Sequence, residues 1–272
     1  MQHRSKIIAL IESFCNIHVE DVLEPRKLAV KMRLDRLLVE RGLATTRSQA
    51  QDLIRRGAII LDGTVVLKPG HQVMVGETLH VLETERYVAR SAWKLRAALD
   101  AFGFSPEGRV CLDAGASTGG FTQVLLERGA TCVFAADVGR NQLHPSLRGH
   151  PKVISMELTD VRTLTPDVFP AAIQALTCDV SFISLLKVLP AILPLAQGDA
   201  WLAALIKPQF EAGRASIGKR GIVKDEAAKR EAVYRVVACI EAAGWTVCGT
   251  LRSQILGQDG NEETLAGATR QA

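Results

Sequence analysis

The sequence has no run of about 18 apolar residues, which excludes an ordinary membrane-spanning helix. Its first residues, MQHRSKIIALIESF, are basic and briefly apolar, but Glu12 interrupts the stretch and no small-residue cleavage site follows, so no secretory signal is expected. Cysteines 15, 111, 132, 178, 239 and 248 stand far apart, mostly in apolar runs, with no CxxC pair and no Cys/His cluster of metal-ligand spacing. That absence points away from a structural zinc and towards a reduced, cytoplasmic protein with neither metal nor membrane as partner. A strong excess of one charge is also missing: the net charge of +4 permits a polyanionic partner without demanding one. What is present, 47% hydrophobic and 23% charged residues in a chain of 272, suits a globular protein of one large domain or of a large domain with a small companion.

Residues 1–31 show no sign of a core of their own and read as an extension upstream of an expected natural start at Met32, with a real N-terminal arm as the alternative. From Met32 the pattern tightens. Leu34, Leu37 and Leu38 share a helical face that Gly42 closes, and TTRS at 45–48 offers capping hydroxyls to a second helix carrying Ala50, Leu53 and Ile54 inward, ended by Gly57. AIILDGTVVL then predicts a hairpin turning at Asp62 and Gly63, and HQVMVGETLHVL supplies further short strands. Residues 32–82 are thus expected to form a small α+β domain, with Arg33, Arg36, Arg47, Arg55 and Arg56 on its helical half, where guanidinium groups suit phosphate contacts. This arrangement resembles the S4-type RNA-binding domain, and the resemblance implies recognition of folded RNA by shape and backbone.

After a linker at 83–89, residues 90–272 alternate strand and helix patterns. Strands are predicted at 109–113, 132–136, 152–156, 175–180, 201–206 and 246–250, with helices between several of them, which predicts an α/β domain built on a mainly parallel, doubly wound sheet. In RVCLDAGASTGGFTQVLLERGA a strand runs through a loop of small residues into a helix, placing backbone N–H groups where a ligand crevice opens in such folds. The dinucleotide fingerprint GxGxxG is absent, which counts against a nicotinamide dehydrogenase. Carboxylates surround the loop instead of cations. Asp113 precedes it and is expected to orient its backbone and reach a positive ligand group; Asp137 follows the second strand, suited to ribose hydroxyls; Asp160 follows the third, suited to a purine end. The ligand that fits is S-adenosylmethionine, its glycine-like end lying over Gly115, Ala116, Ser117, Gly119 and Gly120.

Charges ending apolar strands mark the reaction centre, because such charge is costly unless paired or functional. Asp179 ends ALTCDVSFISL and Lys207 ends WLAALIKPQF; Lys94 lies on the helix before the first strand, on the face of Ala98 and Ala101; Glu263 follows GQDGN. The segments YVARSAWKL, LDAGASTGGFT, AADVG, DVSFISL, IKPQFE and GNEE occur in the order seen in the TlyA family of bacterial ribosomal-RNA 2'-O-methyltransferases, once called haemolysins, whose catalytic half resembles the FtsJ-type ribose methyltransferases. The resemblance spans about residue 32 to about residue 266. It implies a catalytic tetrad of Lys94, Asp179, Lys207 and Glu263, with Glu262 as the alternative glutamate, and Asp179 also beside the cofactor. It implies attack of a ribose 2'-hydroxyl, in line, on the sulfonium methyl, with Lys207 drawing off the proton, its pKa lowered by Lys94 and by desolvation. Asp179 and Glu263 would hold both lysines. It also implies ribosomal RNA or ribosomal subunits as partner, cytidine as target and no metal. The basic loop EAGRASIGKRGIVKD, with Arg214, Lys219, Arg220 and Lys224, is expected to cover the RNA strand. Gln258 stands where the family usually has proline, and TLAGATRQA replaces an aromatic-rich final strand. A non-catalytic RNA-binding factor and a membrane-active cytolysin are the other classes weighed; the retained tetrad disfavours the first, and the lack of a secretion signal or lytic helix the second.

Overall fold

The computed structural model describes residues 31–44, 46–55, 57–61, 64–74, 76–81, 87–213, 216–218, 221–257 and 259–271. The chain divides into two compact units between residues 82 and 83.

The first unit opens with strand β1 (Lys31–Arg33), helices α1 (Leu34–Glu40) and α2 (Arg47–Arg55), and strands β2 (Ile59–Leu61), β3 (Thr64–Val65), β4 (Gln72–Met74) and β5 (Leu79–Val81). Both helices close on a left-handed glycine: Leu43 N–H donates to the Leu38 carbonyl past Gly42, and Ala58 N–H to Leu53 past Gly57, the six-to-one bond that satisfies an orphan carbonyl. Leu34, Leu37, Leu38, Ala50, Leu53 and Ile54 meet Ile59 and Val73 in one core. β2 pairs antiparallel with β3 and β5, and β1 pairs antiparallel with β4. The expected turn at Asp62 and Gly63 and the capping hydroxyl of Thr45 lie outside the described residues, as does the extension before residue 31.

The second unit runs α3 (Ser91–Phe102), β6 (Val110–Ala114), α4 (Gly120–Glu127), β7 (Cys132–Ala136), α5 (Pro145–Arg148), β8 (Val153–Met156), β9 (Ile173–Cys178), α6 (Leu185–Ile192), β10 (Ala196–Ile206), α7 (Pro208–Glu211), α8 (Glu226–Ala242), β11 (Thr246–Arg252) and β12 (Thr264–Arg270). The seven strands lie in the order β11-β12-β10-β9-β6-β7-β8. Successive side chains of β6 point to opposite faces: Cys111 packs with α3 and α4, Leu112 with α6 and α8. β6 is the strand at which the winding reverses, with β7 and β8 on one side and β9 and β10 on the other, so the crevice outside its carboxyl end is the ligand position of this topology.

β12 is a seventh strand beyond the six that the pattern predicts, and it runs antiparallel between β10 and β11. Its stretch Ala266-Gly267-Ala268 carries no bulky periodicity because the volume is supplied from elsewhere: a Cβ on Gly267 would sit 2.5 Å from the Phe102 ring of α3.

Candidate active site

The loop between β6 and α4 is built by backbone conformation as much as by small size. Gly115, Ser117 and Gly119 all have positive φ. At Gly115 a Cβ would lie 2.6 Å from the Asp179 carbonyl oxygen, so the loops after β6 and β9 approach as closely as they do only because residue 115 is glycine. Gly119 and Gly120 are also required by protein neighbours: a side chain at 119 would strike Leu143 and Leu147, and one at 120 would strike Ser91.

Asp113 is likewise a support and not a contact. It is fully buried, its two oxygens accept from Thr122 Oγ1 (2.6 Å) and Thr177 Oγ1 (2.9 Å), and burial raises its pKa to about 6. It braces the loop from beneath and does not reach the crevice. Asp137 accepts from Ser117 N–H (2.8 Å) and Gly139 N–H (2.7 Å), which fixes the loop from the far side while its carboxylate still lines the crevice. Asp160 caps the turn at Val161–Thr163, and the guanidinium of Arg162 against it holds its carboxyl well below the usual carboxylate range.

Two cavities adjoin here. One, of about 440 Å³, is lined by Gly115, Ser117, Asp137, Val138, Asp160 and Asp179, among others. The other, of about 450 Å³, is lined by Arg90, Lys94, Gly115, Asp179, Lys207, Gln209 and Glu263, among others. They share Gly115, Ser117, Asp179, Ser181 and Phe182, so a ligand in the first would lie against the ionisable cluster of the second.

That cluster is two ion pairs. Lys94 Nζ bonds Glu263 Oε2, with the side chains 8% and 3% exposed. Lys207 Nζ lies 2.7 Å from Asp179 Oδ1 and donates to Ser181 Oγ at 2.8 Å. Two cations and two carboxylates balance within the cluster, the arrangement that makes buried charge tolerable. Glu262, by contrast, faces away, towards Lys229 (2.7 Å) and Arg252, beside a separate cavity of about 390 Å³. Adjacent positions leaving the loop thus point to opposite sides, and only Glu263 joins the cluster.

Several residues here were not singled out by pattern. Asn261 is buried and ties the GNEE segment to the preceding loop, accepting from Val223 N–H (3.0 Å) and donating to the Gly221 carbonyl (2.9 Å). Arg90 is half-buried in the tetrad cavity, and burial lowers its pKa. Phe182, 93% exposed with φ of 63°, packs on Phe210 at the mouth of both cavities. A left-handed, solvent-facing aromatic is costly and has no sequence signature, since Phe reads as core.

In the first unit, the expected basic surface is partly committed internally. Arg33 makes a two-pronged contact with the buried Asp35 (3.0 and 2.9 Å), and Arg47 and Gln51 bond the same carboxylate (3.1 and 2.9 Å). The guanidinium of Arg33 therefore serves the fold before any phosphate. Arg36 is exposed and lies 3.6 Å from Glu40, and Arg55 donates to Gln51. Arg56, Arg214, Lys219 and Arg220 lie outside the described residues; Lys224 is exposed.

A doubly wound sheet with a glycine loop at the switch strand, carboxylates after the second and third strands and an adjoining lysine–carboxylate cavity is the architecture of a Rossmann-like methyltransferase. Residues 87–270 match the FtsJ-like methyltransferase family and residues 32–79 the S4 domain. The chain is 44% identical over 238 residues to the 16S/23S rRNA (cytidine-2'-O)-methyltransferase TlyA of Mycobacterium tuberculosis, covering 87% of this chain and 89% of that one. A solved structure from Streptococcus thermophilus, provisionally described as a hemolysin, is 39% identical with a TM-score of 0.69 over 90% of each chain. A Listeria monocytogenes structure provisionally described as an S-adenosylmethionine-dependent methyltransferase shares the fold of the larger unit at 14% identity, with a TM-score of 0.51 over 66% of this chain and 98% of that one. The chain belongs to the TlyA family of FtsJ-like methyltransferases. It is an enzyme of S-adenosylmethionine-dependent methyl transfer that carries an S4 domain. Among the described residues no helix is long and apolar enough to cross a membrane.

Proposed function

We propose that the protein methylates the ribose 2'-oxygen of cytidine in ribosomal RNA, in the cytoplasm, with the first unit gripping the RNA. The observation that carries this reading is the shared wall of the two cavities: Gly115 and Asp179 border both the glycine-loop crevice and the lysine–carboxylate cluster. The crevice fits S-adenosylmethionine. Asp137 and Asp160 offer acceptors at its edge, Val138 an exposed apolar wall, and Asp179 Oδ1 is a buried oxygen near Lys207 that lacks a well-formed hydrogen bond. When bound there, that cofactor supplies a methyl group on a positively charged sulfur.

The chain's own residues must supply the rest. A ribose hydroxyl is a poor nucleophile near neutrality, so the proton has to leave as the oxygen attacks. Lys207 supports this role because its Nζ lies at the cavity wall beside Asp179, which can stabilise the ammonium that forms. Lys94, balanced by Glu263, is an N–H donor suited to hold the sugar oxygen, and holding the two reactants together supplies much of the acceleration. Phe182 presents an exposed ring on which an unstacked base can rest.

The test is transfer of labelled methyl to ribosomal subunits lacking 2'-O-methylation. Label is expected in alkali-resistant dinucleotides containing cytidine, falling by about a hundredfold or more in Lys207→Ala, the scale of general-base loss. RNA binding without any transfer by the wild type would sink this reading in favour of a non-catalytic binding factor.

A further inference from the structure

Lys207 has a feature that a general base needs and that a lysine on a flexible stem does not ordinarily have: a fixed hydrogen-bond partner beside its counter-ion. The tetrahedral nitrogen has four directions. Cε takes one and the hydrogen bond to Ser181 Oγ at 2.8 Å a second; Asp179 Oδ1, 2.7 Å away, holds the nitrogen by charge but without a well-formed hydrogen bond. In the neutral amine the N–H on Ser181 fixes the turn of the amine about the Cε–Nζ bond, and the lone pair keeps one of the two directions that remain. Because Lys207 lines the tetrad cavity, with its side chain only 12% exposed, those directions are the ones open to a ligand there.

Ser181 is well held for such a task. Its loop is tethered at the start by Asp179 N–H, which donates to the Ala114 carbonyl (2.9 Å). At the end it is clamped by the buried Glu211, which accepts from Ser184 Oγ (2.6 Å) and Leu185 N–H (2.7 Å). Glu211 sits four residues after Lys207, so the segments bearing the lysine and the serine are joined at two points. Between the tethers, Phe182 is kept in a left-handed conformation, as expected where surroundings over-determine the backbone. Lys94, Glu263, Arg90 and Asp259 also face this cavity, but among the described residues none of them bonds Lys207 Nζ.

We infer that Ser181 is a positioning residue for methyl transfer, its hydroxyl fixing an N–H of the Lys207 amine so that the lone pair is aimed at the ribose hydroxyl. This rests on the function proposed above. In the step it serves, the ribose O–H proton becomes the third N–H of Lys207 while the electron pair stays on the oxygen that forms the new bond. Asp179, which holds the nitrogen by charge without a well-formed hydrogen bond, does not by itself fix the turn of the amine about the Cε–Nζ bond.

The experiment compares wild type, Ser181→Ala and Ser181→Thr. In single-turnover methylation of unmodified subunits, Ser181→Ala is expected to lower the rate constant about tenfold, a modest loss of alignment. The half-saturating subunit concentration and the calorimetric affinity for S-adenosylmethionine should stay within about twofold, because removing one hydroxyl from the shared wall leaves the rest of both cavities in place. Ser181→Thr, which keeps the hydroxyl, should recover most of the rate. In parallel, side-chain NMR of labelled lysine should show the Lys207 ammonium more mobile in Ser181→Ala than in wild type or Ser181→Thr. An unchanged rate and mobility, or a loss carried wholly by weaker binding, overturns the assignment. Silence of the wild type would overturn the proposed reaction instead, and the NMR comparison would still decide whether Ser181 holds Lys207.

Discussion

At the scale of single residues, neighbours in sequence have been given opposite tasks. Glu262 and Glu263 are both carboxylates leaving one loop, yet one pairs with Lys229 and Arg252 at the surface and the other with Lys94 inside. Their substitutions should differ accordingly. Glu263→Ala leaves a buried lysine without its counter-charge and is expected to cost about 3 kcal/mol or more in urea denaturation, together with activity. Glu262→Ala breaks partly exposed pairs and should cost less than about 1 kcal/mol, with methylation retained. Equal losses in the two variants would refute this assignment of inside and outside. The residue scale also shows the limit of reading a motif. Asp113, Gly119 and Gly120 sit in the most recognisable stretch of the chain, but they face Thr122 and Thr177, Leu143 and Leu147, and Ser91. A glycine needed for a close approach looks the same in sequence whether the approaching group is a ligand or a leucine.

At the scale of elements, the clamp between α7 and α6 turns a loop into a fixed platform. Glu211 gives both carboxylate oxygens to the start of α6, satisfying a backbone N–H that no helical turn can reach. Glu211→Ala should cost about 1 to 3 kcal/mol, as expected for orphaning a buried donor. Amide exchange should speed at Leu185 and Leu186 while β6 and β7 remain protected. Uniform acceleration across the sheet would mean that Glu211 supports the whole unit rather than this platform. Elements also mark where pattern reading stopped short. Strands β6 to β10 follow from apolar runs ending in charge, but β12 carries one large apolar residue, Leu265, among alanine, glycine and threonine, because Phe102 fills the space above Gly267. A strand whose core is lent by a helix has no hydrophobic signature of its own.

At the scale of the whole molecule, the two units respond to acid through different groups. In the first, Asp35 is buried, and the guanidinium of Arg33, with Gln51 and Arg47, holds its carboxyl well below the usual range. A depressed folded pKa contributes stability that is present above about pH 4, the unfolded value, and is lost as pH falls below it. Asp113 works the other way in the second unit: with its folded pKa raised to about 6, its contribution is present in acid and lost as pH rises from about 4 to 6. Amide protection of residues 31–81, corrected for intrinsic exchange, is therefore expected to fall between about pH 5 and pH 3 in the wild type. In Asp35→Asn it should be lower throughout and nearly flat over that range. A wild-type unit indifferent to acid would show that Asp35 is not its anchor.

By itself the sequence determined the two-part organisation, the alternation that builds a doubly wound sheet, the glycine loop after its first strand and three of the four ionisable residues, with Glu262 and Glu263 left as alternatives for the fourth. These are local matters: periodicity, strand-ending charge and short motifs survive in one dimension because each is set by neighbours a few residues apart. Only the tertiary structure decided which carboxylate meets which lysine, which glycines face protein and that an arginine expected at the RNA surface also grips Asp35. Lys94 and Glu263 are 169 residues apart, and Lys207 meets Ser181 across 26. Pairing of that kind is chosen by the geometry of the folded sheet edge, where desolvation forces each charge to find the nearest partner.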